Sequence, residues 1–338
     1  MCKVISNKVS FVMYRMIVAA FLCVPMACGD GGGGSDTDGG GPDANSAGCG
    51  LSGSGTSDLE LRGICAQDKL LGSVILELQD DFSYLDAKIS DTVLPSSVRT
   101  EEMSMAGCRL MRKRNPFCSP TCGMEEACNF DGECVAYPKR LDVSEICVAG
   151  LAESYIMTAE APGFHYFNTQ LEHPAFAGGE RIEVRSPGGS LGSIELAGVG
   201  VTKIKTDDSQ WTVEDGKDLA VSWTTSANNS HSSIYITINV DQHGSSPLLL
   251  ECELPDTGSA SIPSALINEL LTSGISGFPV GKIERRTADS IAVPGGCVEF
   301  LVRSPATVAV RVAGHTPCTR DDQCPSGQTC NLQQETCE

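Results

Sequence analysis

Residues 232–240 read SSIYITINV, and this stretch decides the fold class. An isoleucine or valine stands at every second position from 234 to 240, while Tyr235 and Thr237 lie between them. A period of two places successive side chains on opposite faces of an extended strand. The stretch therefore predicts a β-strand with one face in an apolar core.

The same alternation recurs along the middle and the end of the chain. It is found at residues 181–185, 193–196, 211–213, 219–223, 282–286, 298–302 and 308–312. Turn-forming sequences such as SPGG, EDGKD and VPGG separate these segments. Short strands at short intervals predict an all-β fold arranged as antiparallel β-sandwich domains.

One helix interrupts this pattern. Pro263 precedes the sequence SALINELL, whose apolar residues at 266, 267, 270 and 271 fall on one face, and Gly274 follows it. Proline in the first turn and glycine after the last turn are typical limits of a helix. The sequence predicts a short helix over residues 263–273.

Strand-like sequence also lies upstream of residue 150, at 72–90 and 107–114, and residues 144–157 lead into the next domain. We therefore predict a small β domain at 58–150, with a cysteine cluster at 118–134 inserted before its last strand. A β-sandwich domain at 151–313 and a C-terminal cysteine-rich module at 314–338 follow.

The first 27 residues have the organisation of an export signal. Their three charged residues, all basic, are Lys3, Lys8 and Arg15. An uncharged run at 16–26 and the small Ala27 follow, and this run is too short to span a bilayer. Translation from Met13 or Met16 would leave a compact signal as well.

Cys28 directly follows this signal, an arrangement that resembles the lipobox of bacterial lipoproteins, in which the cysteine receives the lipids. Pro25 departs from the leucine usual in that family. The alternative is an ordinary signal peptide followed by an unrelated cysteine. Residues 28–57 are mostly Gly, Ser, Asp, Thr, Asn and Ala, which predicts a disordered tether between an anchor and the folded region.

The chain has 17 cysteines, and 14 remain once Cys2, Cys23 and Cys28 are set aside. An even number in an exported chain predicts up to seven disulfides. Zinc ligation is disfavoured because the cysteines do not form CxxC pairs with matching histidines. We predict no metal and no cofactor.

Eight of these cysteines form two clusters poor in apolar residues. They are Cys118, Cys122, Cys128 and Cys134 in the first cluster, and Cys318, Cys324, Cys330 and Cys337 in the second. The second cluster, CTRDDQCPSGQTCNLQQETC, resembles the Dickkopf-like cysteine-rich modules of secreted proteins. We expect each cluster to pair its first cysteine with its third and its second with its fourth.

Six cysteines lie outside the clusters. Cys252 ends the strand-like LLLEC and Cys297 begins CVEFLV, so we predict a long-range disulfide between these two. The sequence does not assign Cys49, Cys65, Cys108 and Cys147.

Several segments in order along the chain carry a wider resemblance. They are the lipobox-like signal, the Gly/Asp tether, NPFCSPTCGMEEACNFDGECVAYP, YFNTQLEHPAF, LLLECELPDTGSASIP and VPGGCVEFLV. Together they resemble the surface lipoproteins of myxobacteria over nearly the whole chain. This resemblance implies a location in the bacterial cell envelope, extracytoplasmic at the outer membrane or cell surface, and a β-rich ectodomain. It supplies no catalytic positions.

The charge of the chain limits its partners. The formal net charge is −19 at neutral pH. Nucleic acid and anionic lipid headgroups require a basic surface, so both are disfavoured as partners. The membrane partner is expected through the lipid anchor alone, and the sequence sets no oligomeric state.

One loop and two tryptophans are candidates for binding a protein or glycan ligand. Asp241, Gln242 and His243 follow the strongest strand, where binding residues of sandwiches often lie, although Asp241 could simply build the turn. Trp211 and Trp223 could stack on a sugar, but core packing is favoured for Trp223 because it shares a face with apolar residues.

Two classes of function remain open. No HExxH motif is present, and the GxSxG match GGSLG at 188–192 overlaps the turn-forming SPGG rather than a strand-to-helix elbow. The first class is therefore a lipid-anchored surface protein without catalytic activity that presents β-sandwich domains for ligand binding, partner binding or adhesion. The alternative is an exported hydrolase that acts on glycans or peptides through loop carboxylates such as Asp241 and Asp256. A cleft with two facing carboxylates of perturbed pKa would favour the hydrolase.

The lipobox interpretation predicts that Cys28→Ser abolishes lipid labelling and releases the protein into the soluble fraction, because the acyl chains at this residue supply the attachment. Detergent partitioning of the wild type and the variant measures this. Membrane partitioning of Cys28→Ser would show that the anchor lies elsewhere.

Overall fold

The longest alternating segments of the sequence form one hairpin. In the computed structural model, strand β17 (Val280–Val293) and strand β18 (Gly296–Val312) pair antiparallel along the whole length of β17. Gly295 in the connecting turn has a φ of 88°, a value that glycine adopts without steric cost. This hairpin is the centre of the fold.

The structure describes residues 49–50, 52, 55–206, 208–227, 231–243 and 247–338. The predicted signal peptide (1–27), Cys28 and most of the predicted tether (28–57) lie outside the described residues.

Eighteen further strands and one α-helix complete the described secondary structure. The helix α1 spans Ser264–Thr272, within one residue of the prediction at each end. The strands are β1 Leu70–Leu78, β2 Ser83–Ile89, β3 Arg99–Met105, β4 Cys108–Lys113, β5 Glu126–Cys128, β6 Cys134–Ala136, β7 Glu145–Ala149, β8 Tyr155–Thr158, β9 His165–Asn168, β10 Arg181–Ser186, β11 Ile194–Val199, β12 Gln210–Val213, β13 Leu219–Ser222, β14 Ser233–Asn239, β15 Leu248–Pro255, β16 Ser259–Ile262, β19 Cys330–Asn331 and β20 Thr336–Cys337.

Most of the long strands join one ten-stranded sheet. Its order is β3-β4-β15-β14-β17-β18-β1-β2-β9, with β12 also paired to β18. The all-β class with one short helix is confirmed. The pairing is antiparallel except at two places, because β1 and β12 both run parallel to β18.

Smaller layers cover one face of this sheet and enclose two apolar cores. The sheet β11-β10-β7-β8 packs on the first core, and the β13-β16 pair with α1 packs on the second. Strand β18 enters both, with Phe300 in the first core and Val310 in the second. The fold is thus two sandwiches that share one sheet.

The predicted division near residue 150 does not separate two domains. Strands β1 to β4 come from the segment 58–150, yet they lie in the same sheet as β14, β15, β17 and β18. Residues 45–338 cluster as one compact unit. The prediction was wrong here because a pairing such as β1 with β18 joins segments more than two hundred residues apart, which local periodicity does not reveal.

Strand β18 also joins two segments, 298–302 and 308–312, that the sequence separates. Pro305 interrupts the pattern, and proline is unusual inside a sheet because it lacks an N–H donor. In the structure Pro305 lies between the end of the β1 pairing, at Arg303, and the start of the β12 pairing, at Ala309. In the described sheet, no strand pairs with that edge of β18 at Pro305. The missing N–H of the proline therefore breaks no hydrogen bond to a strand on that side.

Both cysteine clusters have the expected connectivity. The disulfides are Cys118–Cys128, Cys122–Cys134, Cys318–Cys330 and Cys324–Cys337. Each cluster holds a two-stranded ribbon, β5-β6 or β19-β20, with little apolar core of its own.

The predicted Cys252–Cys297 disulfide is wrong. Cys252 pairs with Cys108 on the adjacent strand β4, and Cys297 pairs with Cys65, while Cys49 pairs with Cys147. Strands β15 and β18 are three places apart in the sheet, a separation of roughly 14 Å, which is too far for a disulfide.

A buried ion pair lies between the two cores. The Arg285 Nε is 2.6 Å from Asp256 Oδ2, and both side chains are almost completely buried. Trp223 Nε1 donates a second hydrogen bond to Asp256 at 2.8 Å, and Arg285 Nη1 donates to the carbonyl of Thr202 at 3.2 Å. The pair therefore ties β17 to β15 and to the segment after β11.

We expect Asp256→Asn to lower the free energy of unfolding by about 3 kcal/mol, because it leaves the Arg285 guanidinium buried without a counter-charge. Chemical denaturation measures the loss. Asp215→Asn, at an exposed turn, is the matched control and should change stability by less than about 0.5 kcal/mol. Equal stability of the two variants would contradict this role of Asp256.

Candidate functional site

The side chains that alternate with core residues line a cleft on the other face of the ten-stranded sheet. Tyr235 and Thr237, which lie between the buried isoleucines of β14, face this cleft together with Glu284 and Arg286 of β17. Its volume is about 790 Å³, within the range of small-molecule sites.

The strand register brings these side chains together. Glu77 on β1 lies opposite both Tyr84 on β2 and Arg303 on β18. On the next strand, Arg286 lies opposite Arg303. Directly opposite residues of a sheet are near neighbours, so the cleft floor is a continuous row of polar side chains across four strands.

Ion pairs connect the members of this row. Arg303 Nε lies 2.6 Å from Glu77 Oε2, and its Nη1 lies 3.6 Å from Glu284 Oε2. Arg286 Nη1 lies 3.1 Å from Glu284 Oε1. Glu284 is therefore held between two guanidinium groups, which restricts all three side chains.

A second group of contacts fixes the other half of the cleft. The Arg286 guanidinium lies over the ring of Tyr235, 3.8 Å from its centroid, and also pairs with Glu253. Glu251 is held by Arg99 at 3.4 Å and by Arg109 at 3.2 Å.

Burial raises the pKa of three side chains in the cleft. It raises the pKa of the Tyr84 phenol to about 12, and the neighbouring Glu77 carboxylate adds to the rise. Burial and the charge of Glu251 raise the pKa of Tyr235 as well. Burial raises the pKa of Glu284, against the opposing effect of Arg303 and Arg286. Both phenols thus remain neutral O–H groups at physiological pH.

The lining of the cleft is balanced in charge. It contains four acidic and four basic residues, namely Glu77, Asp80, Glu251 and Glu284 with Arg99, Lys282, Arg286 and Arg303. The whole chain, by contrast, has a formal charge of −19. The cleft is therefore electrostatically distinct from the chain as a whole.

All three residues of the loop predicted for binding, Asp241–His243, form contacts within the fold. Asp241 is buried, accepts the backbone N–H of His243 at 3.0 Å, and accepts the hydroxyl of Ser276. Gln242 accepts the backbone N–H of Phe278 at 3.1 Å, and His243 Nε2 lies 3.3 Å from Glu335 of the C-terminal module. These contacts favour the turn-building alternative.

The other two candidates are also engaged in the fold. Trp211 and Trp223 are both buried in the second core, so neither is a platform for a sugar. Trp211 packs against Gly281, where a Cβ atom would lie 2.5 Å from the Trp211 ring. Asp256 is the partner of Arg285 described above.

Two groups of three cysteines lie close enough to hold a metal, one in each module. All six are paired in the disulfides given above, and a disulfide sulfur is not the thiolate that binds metal. Within the described residues, no helix has both the length and the apolar character needed to cross a membrane.

Comparisons with known proteins do not assign a family. No family model matches the chain, and no curated protein matches it. Among solved structures, the chain is similar to the FN1–FN3 domains of chicken CNTN1, with 6% identity and a TM-score of 0.16. The alignment covers 63% of this chain and 65% of that chain, just under two thirds of its length.

Sequence reasoning missed the cleft because its members come from seven strands. One signal was available, since the strand segment KIERRTADS at 282–290 has an unusual number of charged residues for the middle of a sheet. That segment supplies Glu284 and Arg286, two of the central residues of the cleft.

The environment of Tyr84 predicts that its phenol ionises at a higher pH than an unfolded tyrosine. An unfolded tyrosine ionises near pH 10 and folded Tyr84 near 12, so the protonated phenol stabilises the fold below about pH 10 and this contribution disappears between about pH 10 and 12. The tyrosinate absorbance of the wild type minus that of Tyr84→Phe should rise near pH 12. A rise near pH 10 would contradict the half-buried position of this phenol beside Glu77.

Proposed function

We propose that this chain is an exported, lipid-anchored surface protein without catalytic activity, and that the cleft on the ten-stranded sheet is its ligand site. The cleft, with its volume of about 790 Å³ and its ion-paired lining, is the observation that carries the proposal. Seven disulfides support an oxidising compartment outside the cytoplasm. Attachment at Cys28 would place the cleft at the cell envelope.

The construction of the cleft suits binding. Its central side chains Glu77, Glu284 and Arg286 stand on β1 and β17, which are paired on both sides, and ion pairs hold them, so little conformational entropy remains to be lost when a ligand binds. Glu77, Glu251 and Arg286 are buried, yet they line the cleft rather than a core.

A hydrolase remains the second candidate, and one observation favours it. Glu77 and Glu284 share Arg303, and the pKa of Glu284 is raised by burial. A general acid, however, must present a protonated carboxyl to the leaving group, and Glu284 is held between Arg303 and Arg286. Asp241 and Asp256 are committed to the fold, so the geometry supports binding better.

Thr307→Trp should abolish ligand binding, because Thr307 is an exposed member of the lining whose enlargement fills the cleft without removing an ion pair. Residues 29–338 with all disulfides formed would be applied to an array of oligosaccharides and peptides. Thr212→Trp, at another exposed strand threonine outside the cleft, is the matched control. We expect at least a tenfold loss, or about 1.4 kcal/mol, for Thr307→Trp alone.

The proposed site would be overturned if the protein bound no oligosaccharide or peptide on the array, or if the two variants bound equally well. The same samples are examined for cleavage products. If the wild type cleaves a probe and Glu284→Gln does not, while the thermal stability of the variant is unchanged, the hydrolase becomes the favoured function instead of the binding protein.

A further inference from the structure

An aromatic pair with one exposed ring stands at one end of the cleft. Phe82, in the turn between β1 and β2, is 50% exposed, and its ring stacks on Tyr84 with 6.0 Å between centroids and 26° between planes. Gln79 and Asp80 of the same turn line the cleft, as does Tyr84. Buried Ser83 lies between the two aromatic residues, so Phe82 and Tyr84 share the face that carries the cleft.

The exposed ring of Phe82 offers a flat apolar surface. The carbon-bound hydrogens of a sugar ring carry partial positive charge, which the negative face of an aromatic ring attracts. Trp211 and Trp223 are buried, and the Arg286 guanidinium lies over the ring of Tyr235, so we take the Phe82–Tyr84 pair as the aromatic surface next to the cleft.

The remaining lining has no excess of either charge. A ligand of either charge would meet equal numbers of like and unlike charges, and the three arginines of the lining already have carboxylate partners. Paired guanidinium and carboxylate groups keep free donors and acceptors for a neutral ligand. The hydroxyls of Thr237 and Thr307 add groups that can donate and accept.

The position of the cleft disfavours an extended peptide. Peptides that add to a sheet bind the free backbone groups of an edge strand. The floor strands β1, β14, β17 and β18 are paired on both sides within the sheet, except for the short stretch of β18 around Pro305, a residue that has no N–H donor. Recognition there depends on side chains, which suits a ligand rich in hydroxyl groups.

We propose that the cleft binds a neutral oligosaccharide, with one sugar ring stacked on the Phe82–Tyr84 pair and the following rings hydrogen-bonded along Glu77, Arg303, Glu284 and Thr307. This inference rests on the proposed function of the cleft and specifies its ligand class. It implies a binding affinity that is insensitive to salt, because a neutral ligand has no charge to screen.

Calorimetry on residues 29–338 tests the ligand class. The probes are neutral gluco-, manno-, xylo- and N-acetylated chito-oligosaccharides, with oligogalacturonate as the anionic and deacetylated chito-oligosaccharide as the cationic counterpart. We expect a neutral member to bind, with an affinity that is constant as salt rises and at least tenfold above that of either charged counterpart.

Two matched variants locate the stacked ring. Phe82→Ala should weaken the binding of that neutral oligosaccharide about five- to tenfold, the effect of losing one aromatic contact. Phe167→Ala removes a ring that is 58% exposed and stacks on His165 outside the cleft, and it should leave the affinity unchanged. Equal effects of the two variants would overturn the stacking site.

The two proposals fail in different ways. If the ligands whose binding is abolished by Thr307→Trp are all charged oligosaccharides or peptides, the inference of a neutral saccharide is wrong, but the cleft remains the ligand site. If no probe bound by the protein responds to Thr307→Trp, both proposals are wrong.

Discussion

The pairing of β17 with β18 is the constraint on which the rest of the structure depends. One face of this hairpin supplies Phe300 to the first core and Val310 to the second, while the other face carries Glu284, Arg286 and Arg303. Because successive residues of a strand point to opposite faces, a slip of one residue would exchange apolar and charged side chains. Core packing therefore fixes the register, and the same register places the ion pairs of the cleft.

Charged side chains on the floor of a sheet are costly unless each has a partner. Here the partners come from neighbouring strands, as when Arg303 contacts both Glu77 and Glu284. The resulting surface is rigid, polar and balanced in charge within a strongly acidic chain. These properties link the hairpin to function, since a preorganised surface without net charge discriminates ligands by shape and hydrogen bonding rather than by long-range attraction.

The local part of this fold could be predicted from the sequence and the long-range part could not. Period-two alternation located β14 and β10, proline and glycine limited the helix, and resemblance gave the disulfides within each cluster. The parallel pairing of β1 with β18, the partners of Cys252 and Cys297, and the cleft itself all depend on which strands become neighbours. Strand order is a global property of packing, so Tyr84 and Arg303 could not be related from their own surroundings.

If the cleft is the ligand site, the outer face of the β17–β18 hairpin holds the bound molecule. A crystal structure of residues 29–338 grown with a neutral oligosaccharide that binds in solution tests it most directly. We expect sugar density across Tyr84, Arg303 and Glu284, with one ring parallel to the ring of Phe82. Sugar bound elsewhere, at the Asp241–His243 loop or on a cysteine-rich module, with the cleft filled only by water, would contradict it.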